Sequence, residues 1–101
     1  MDKNEIEMKY GEKLRSLGYV LSHYVVLDGI KYFYPSNLIV YNYNGSNKKL
    51  QNTEIQIKIL EDNTYSIEIV ENIADGLGIS HSIASMEDLI KILEKIEKNK
   101  W

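Results

Sequence analysis

The sequence of 101 residues contains no cysteine, and it has one proline, one tryptophan and one phenylalanine. Without cysteine the chain has no disulfide, no thiolate nucleophile and none of the thiolate ligands that most structural zinc sites use. No apolar run reaches the roughly 18 residues that indicate a transmembrane helix, and the polar N-terminus lacks the apolar core of a signal peptide. These absences predict a soluble, cytoplasmic protein.

Basic side chains are few, and there is a single arginine. The chain has 12 Lys and Arg residues against 15 Asp and Glu residues, a net charge of −3. Residues 1–52 have a balance of +2, whereas residues 53–101 have a balance of −5. Nucleic-acid and membrane-surface binders usually have a basic excess, so nucleic acid is not the expected partner and no membrane binding is predicted. The acidic second half suits a basic surface on another protein, or it keeps the protein in solution.

The size and composition predict one domain that spans residues 1–101. Hydrophobic residues make up 44% and charged residues 27%, close to the averages of globular proteins. A chain of this length buries roughly two thirds of its surface on folding, which is enough for one hydrophobic core. The sequence shows no internal repeat, linker or low-complexity segment.

Two helices are predicted, one near each end of the sequence. The first spans residues 2–17, because apolar residues recur every three or four positions along it, and Gly18 ends it. The second begins after Ser85, which caps it together with Asp88, and extends from Met86 to about residue 98. The predicted buried stripes are Ile6, Tyr10, Leu14 and Leu17 in the first helix and Met86, Leu89, Ile90, Leu93 and Ile96 in the second.

Between the helices the pattern changes to that of β-strands. Alternating or β-branched runs predict strands at residues 19–27, 30–34, 38–43, 54–60, 65–69 and 79–84. Asp28 and Gly29 are predicted to form a hairpin turn, Pro35 to end a strand, and residues 44–52 and 71–78 to form loops. The predicted fold is α+β, a single antiparallel sheet of five to six strands in meander order with both helices packed on one face.

Tyrosine is the unusual component of this sequence, with eight residues. Four of them, Tyr32, Tyr34, Tyr41 and Tyr43, fall on two neighbouring predicted strands and are expected to form a cross-strand patch. A tyrosine ring supplies a large apolar contact area and its hydroxyl tolerates water, so exposed tyrosines often dominate protein interfaces. Two interpretations stay open: an exposed patch is a partner-binding surface, whereas a patch packed under a helix is part of the core.

Candidate catalytic and metal-binding residues are sparse. His23 and His81 have no second histidine or cysteine at ligand spacing, so no metal site is predicted. Ser80 and Ser82 flank His81, but neighbouring strand residues point to opposite faces and do not assemble a Ser–His–Asp triad. The glycines at positions 76 and 78 lack the third glycine and the following helix of a nucleotide-binding loop. The sequence therefore predicts neither an enzyme nor a cofactor.

The predicted function is that of a small non-enzymatic protein-interaction module. We also expect a homodimer, formed through an edge strand or through the helix surface around Ile92 and Trp101. The bias toward Ile, Asn, Lys and Tyr is similar to that of many short proteins of low-GC bacteria, archaea and their viruses. This similarity implies an inhibitor or immunity-type protein of a virus or mobile element, such as an anti-CRISPR-like protein. The predicted partner-binding residues are Tyr32, Tyr34, Tyr41, Tyr43, Lys48 and Lys49.

The alternative hypothesis is a weak single-stranded nucleic-acid-binding protein that uses an aromatic sheet face. RNA-binding sheets stack bases on exposed aromatic side chains. Such sheets interleave the aromatic residues with basic ones, however, and here only Lys31 lies among the tyrosines, with Lys48 and Lys49 in the following loop. Salt-dependent retention of RNA or single-stranded DNA by the purified protein would distinguish the two hypotheses.

Overall fold

The computed structural model describes residues 3–27, 36–60, 64–74 and 77–98, and it shows the predicted α+β fold. Five strands lie between an N-terminal and a C-terminal helix. The strands form one antiparallel sheet in which each strand pairs with the next along the chain, so the predicted meander is confirmed. Their bounds are β1 Tyr19–Leu27, β2 Ser36–Tyr43, β3 Thr53–Leu60, β4 Tyr65–Ala74 and β5 Leu77–Ile83.

The strand that pairs with β1 is the run predicted at residues 38–43. It begins two residues earlier than predicted, and the pairing extends along the whole of β1, up to Leu27 opposite Ser36. The register shifts between Leu21 and His23, which places a β-bulge in the middle of β1. The predicted turn at Asp28 and Gly29, the predicted strand at 30–34 and Pro35 lie outside the described residues.

The predicted loop at residues 71–78 is wrong, because two strands extend through most of it. β4 continues to Ala74 and β5 begins at Leu77, with Asn72 opposite Gly78. The local sequence is poor in strand-forming residues, and for that reason propensity alone favoured a loop. Pairing between the two strands overrides this local preference, and a register shift after Asn72 accommodates the irregular end of the hairpin.

The N-terminal helix contains a π-helical turn, which the sequence did not predict. Two α-helical segments, Lys3–Ile6 and Glu12–Ser16, flank the turn Glu7–Gly11. Gly11 lies under the Glu7 side chain, because a Cβ at this position would be 3.0 Å from Glu7 Oε2. The predicted apolar stripe is confirmed as buried: Ile6, Tyr10, Leu14 and Leu17.

Gly18 follows this helix, as predicted, and the structure requires glycine there for two reasons. Its φ is +94°, a left-handed conformation that other residues adopt only with strain. A Cβ at this position would also lie 2.6 Å from Cε1 of Tyr43. The backbone therefore passes directly over the Tyr43 ring as it enters β1.

Both helices pack on one face of the sheet, and the alternation of side chains identifies that face. Ile55 and Ile57 of β3 are fully buried on the covered face, whereas Gln56 and Lys58 point to the opposite, open face. The open face of β3 and β4 carries mostly polar side chains. The buried hydrophobic core comprises Ile6, Tyr10, Leu14, Leu17, Tyr19, Ile39, Tyr41, Leu50, Ile55, Ile57, Ile59, Ile67, Met86, Leu89 and Leu93.

The C-terminal helix spans Met86–Lys98 and confirms the predicted bounds. Ser85 caps it, because its Oγ accepts a hydrogen bond of 3.1 Å from the Asp88 N–H and its carbonyl accepts one of 3.0 Å from the Leu89 N–H. Among the described residues no helix is both long enough and apolar enough to cross a membrane.

Replacing the Ser85 side chain should weaken the start of this helix. We expect Ser85→Ala to lower the free energy of unfolding by about 1 kcal/mol, because the Asp88 N–H loses its acceptor. Ser85→Asp is the matched control, since aspartate caps as well as serine and should retain nearly full stability. Urea unfolding followed by circular dichroism measures both, and equal losses in the two variants would show that the cap does not stabilise the helix.

Candidate functional site

The predicted partner-binding residues do not form one exposed surface in the part of the chain that the structure describes. Tyr32 and Tyr34 lie outside the described residues. Tyr41 is fully buried and Tyr43 is half-buried, whereas the two predicted lysines are exposed. The binding role of the set stays a prediction, but a partner does not reach the Tyr41 ring while the chain is folded.

Tyr41 and Tyr43 point toward the helices because of the register of β2. Tyr41 lies opposite Ile55 of β3, and directly opposed residues of antiparallel strands share a face. Ile39, Tyr41 and Tyr43 therefore line the covered face. The patch was predicted to be either an exposed binding surface or part of the core. Tyr41 belongs to the core, and Tyr43 packs half-buried against it.

The Tyr41 hydroxyl connects the sheet to the N-terminal helix. It donates a hydrogen bond to Glu7 Oε1, and Glu7 Oε2 accepts another of 3.2 Å from Arg15 Nη1. Glu7 is the first residue of the π-helical turn, and Gly11 leaves room for its carboxylate. Burial raises the pKa of the Tyr41 hydroxyl, and the adjacent Glu7 carboxylate raises it further, so the hydroxyl stays neutral and donates.

A second tyrosine links the two helices to each other. The Tyr10 hydroxyl donates a hydrogen bond of 2.7 Å to Glu87 Oε1 in the first turn of the C-terminal helix. Burial raises the pKa of Tyr10, whereas the bond from Tyr10 lowers the pKa of the Glu87 carboxyl. This contact fixes the start of the C-terminal helix against the π-helical turn.

Two further tyrosines fix the loop between β2 and β3. The Tyr19 and Tyr43 ring centres are 5.1 Å apart, and the Tyr19 hydroxyl is 2.7 Å from Thr53 Oγ1. The Thr53 hydroxyl itself donates to the carbonyl of Leu50 at 2.6 Å. Among the described residues, every buried side-chain nitrogen and oxygen has a hydrogen-bond partner. These tyrosines are therefore structural, and their hydroxyls are all engaged within the chain.

The predicted lysines occupy a short and well-anchored turn, the 3-10 helix Lys48–Leu50. Asn47 caps it, since its Oδ1 accepts the Lys49 N–H at 2.9 Å and its own N–H donates to the Tyr43 hydroxyl at 2.8 Å. Leu50 anchors the turn in the core, while the side chains of Lys48 and Lys49 are exposed. The side chains of both lysines are thus exposed, and neither predicted tyrosine of the described residues, Tyr41 or Tyr43, forms an exposed patch with them.

The two histidines lie in the two strands at opposite sides of the sheet. His23 belongs to β1 and His81 to β5. His81 lies opposite Ile69, whereas its neighbours Ser80 and Ser82 belong to the other face, as the alternation predicted. Within the described ranges, no group of three His, Cys, Asp or Glu side chains has the arrangement of a metal site.

Sequence reasoning missed the surface at the end of the β4–β5 hairpin. β3 begins at Thr53, opposite Glu71 of β4, so the hairpin residues beyond Glu71 extend past the end of β3. Ile73 lies in this extension and is 62% exposed, and Ile79 of β5, opposite Glu71, is 46% exposed. Ile73 and Leu77, two large apolar residues inside the predicted loop, are the signal in the sequence. We call residues 71–74 and 77–79 the hairpin end.

The outer edge of β5 adjoins the hairpin end. Within the described residues β1 and β5 are the two edge strands of the sheet. β5 has the sequence Leu-Gly-Ile-Ser-His-Ser-Ile, without lysine, acidic residue or proline. Charged residues, proline and bulges are the usual devices that prevent an edge strand from pairing with another strand. β1 has its bulge at Leu21–His23, whereas β5 has none of these devices in its own sequence.

Comparisons with known proteins found no match, neither with a family model nor with a curated protein nor with a solved structure. The class that the fold defines is therefore architectural: a five-stranded antiparallel meander with two helices on one face. Any function must be argued from the surfaces described above.

The Tyr41–Glu7 bond should contribute measurably to stability. We expect Tyr41→Phe to lower the free energy of unfolding by about 1–3 kcal/mol, because it removes a partner from a half-buried carboxylate and keeps the ring. Urea unfolding at neutral pH measures the change. Wild-type stability in the variant would show that water replaces the hydroxyl without cost.

The same bond gives an expected pH dependence. The folded-state pKa of Tyr41 is raised above its ordinary value of 10.0, so its contribution is complete below pH 10 and is lost as the pH rises toward the raised pKa. In urea unfolding above pH 10, the stability of the wild type should therefore fall more steeply than that of Tyr41→Phe. Parallel curves would contradict the assignment of this dependence to Tyr41.

Proposed function

We propose that this chain is a non-enzymatic protein-binding module whose contact surface is the hairpin end together with the outer edge of β5. The observation that carries the proposal is the exposure of Ile73, beyond the end of β3, together with that of Ile79 in the edge strand β5 at the same end of the sheet. A two-stranded hairpin is only marginally stable in water without a third strand or a packed helix. A bound partner would pack against the hairpin end in place of a third strand or a helix.

The position of the exposed isoleucines supports a role in binding, and it distinguishes them from the isolated apolar residues that most protein surfaces carry. Single exposed apolar residues are common on proteins, but apolar residues grouped beside an unblocked edge strand mark interaction sites. Ile79 lies in the edge strand itself, and Ile73 lies in the neighbouring strand within the same hairpin end. A partner strand added to β5 would gain backbone hydrogen bonds and apolar contact together.

The nucleic-acid alternative has no comparable support among the described residues. It depends on tyrosines that stack on bases, and Tyr41 is buried while Tyr43 is half-buried with its hydroxyl bound to Asn47. The exposed lysines at the β2–β3 loop remain candidates for a second contact with a partner protein. An inhibitor or immunity-type role, in the cytoplasm, is the form of protein binding that we propose, since such proteins act by occupying a surface.

The test is to place a charge in the hairpin end. We expect Ile73→Asp to weaken capture of the binding partner at least tenfold, because burying an unpaired carboxylate in an apolar contact is costly. The measurement is the amount of protein recovered on immobilised wild-type and variant chains from an extract of the native host.

Met8→Asp is the matched control for this test. Met8 is 86% exposed in the N-terminal helix, so the substitution adds the same charge at an apolar surface residue away from the sheet. Capture by this variant should equal that of the wild type, and far-UV circular dichroism should show both variants folded. Equal capture by the wild type and Ile73→Asp would refute the proposed contact surface.

A further inference from the structure

We infer that the partner bound at β5 is a second copy of this chain, joined by antiparallel pairing of the two β5 strands about Ser80. This inference rests on the proposed function, because it takes the outer edge of β5 as the contact surface. The two described five-stranded sheets would join into one continuous sheet, with a twofold axis perpendicular to it at Ser80. Both pairs of helices would then lie on the same face.

The uncharged character of β5 is the first argument. The two strands that precede it carry charged residues: Glu54 and Lys58 in β3, and Glu68 and Glu71 in β4. β5 carries none, and its backbone is already held in strand geometry by β4. Its outer row of N–H and C=O groups is thus preformed for pairing, without a charge to repel an identical strand.

The register is the second argument. In an antiparallel pair of identical strands, the residue numbers of every two opposed residues have the same sum, which is twice the number of the residue at the twofold axis. The side chains of opposed residues lie on the same face of the sheet. Only a centre at Ser80 pairs all seven residues of β5 with those of the second copy. Ile79 then lies opposite His81, Gly78 opposite Ser82, and Leu77 opposite Ile83. None of these opposed pairs contains a lysine or an acidic residue, so the full-length register brings no two such charges together.

The side chains on the two faces fit this register. On the open face the opposed residues are small, namely Gly78, Ser80 and Ser82, so neighbouring side chains do not clash across the axis. On the covered face, each exposed Ile79 lies beside His81 of the second copy and one residue away from the axis. Pairing therefore removes from water one of the two isoleucines that the isolated chain leaves exposed at the hairpin end.

The negative net charge does not oppose this arrangement. Among the described residues of the sheet, the acidic side chains nearest to β5 lie in β4, so equivalent glutamates of the two copies are separated by three strand spacings. At roughly 4.8 Å per spacing this is about 14 Å, beyond the Debye length of about 8 Å at physiological ionic strength. Repulsion between Glu68 in one copy and Glu68 in the other is therefore largely screened.

The decisive variants put a charge at the axis. Ser80→Lys sets two lysines opposite each other in the centre of the interface and should weaken the dimer by about tenfold. Asn42→Lys is the matched control, because Asn42 is exposed on the open face of the inner strand β2. An equimolar mixture of Ser80→Lys and Ser80→Glu should recover the dimer, because the opposed charges then attract. Sedimentation equilibrium of each sample measures the dissociation constant.

The absence of cysteine allows an independent test of the register. Ser80→Cys introduces the only thiol in the chain, directly opposite its copy across the axis. Treatment with the thiol oxidant diamide should give a covalent dimer on a non-reducing gel, reversed by reductant. Asn42→Cys should stay monomeric on the same gel, because in the proposed dimer Asn42 lies far from its counterpart.

The outcomes separate this inference from the proposed function. A wild-type dimer that Ser80→Lys weakens, and that Ser80→Cys traps, supports both. A monomeric wild type that captures a different protein, with capture lost in Ser80→Lys, overturns the self-pairing and leaves the proposed contact surface in place. A dimer unaffected by Ser80→Lys also overturns the pairing at β5. A monomer that captures nothing refutes both.

Discussion

The architecture depends on one requirement: a tyrosine hydroxyl taken into the core needs a hydrogen-bond partner there. Tyr41 is satisfied by Glu7, Tyr43 by the Asn47 N–H, and Tyr19 by Thr53. These partners come from the helix, the loop and the strand around the tyrosines, so each bond also fixes an element in place. The π-helical turn and the close passage of Gly18 over Tyr43 are local deformations that this packing accommodates.

The fold was predictable where local pattern and tertiary packing agree. Helical spacing, the Ser85 cap and the Ile55–Ile57–Ile59 alternation each specify an element by themselves, and the structure follows them. The extension of β4 to Ala74 and of β5 back to Leu77 was not predictable from propensity, because a cross-strand partner stabilises residues that alone favour a loop. The π-helical turn was also not predictable from the sequence, since the apolar stripe from Ile6 to Leu17 is compatible with an unbroken α-helix.

The candidate site was less predictable than the fold. The sequence singled out strand tyrosines without establishing which sheet face the helices cover, and that choice decides whether Tyr41 meets a partner or the core. Exposure of Ile73 depends on where β3 begins relative to the end of β4, and Ile79 belongs to the edge strand β5, so strand lengths, register and strand order place both residues. The covered face and the exposure of the isoleucines both depend on tertiary structure, which residue type alone does not determine.

The distribution of charge over the sheet is compatible with the edge-to-edge pairing that we infer. Glu54 of β3 and Glu68 of β4 lie on the open face, inside the edge of the sheet, where acidic side chains oppose the stacking of one sheet on another. They do not lie in β5, so they leave edge-to-edge pairing unopposed. The opposite edge strand, β1, carries a bulge that disturbs such pairing. In the dimer that we infer, strand addition at this single edge ends with a closed pair rather than an open chain of subunits.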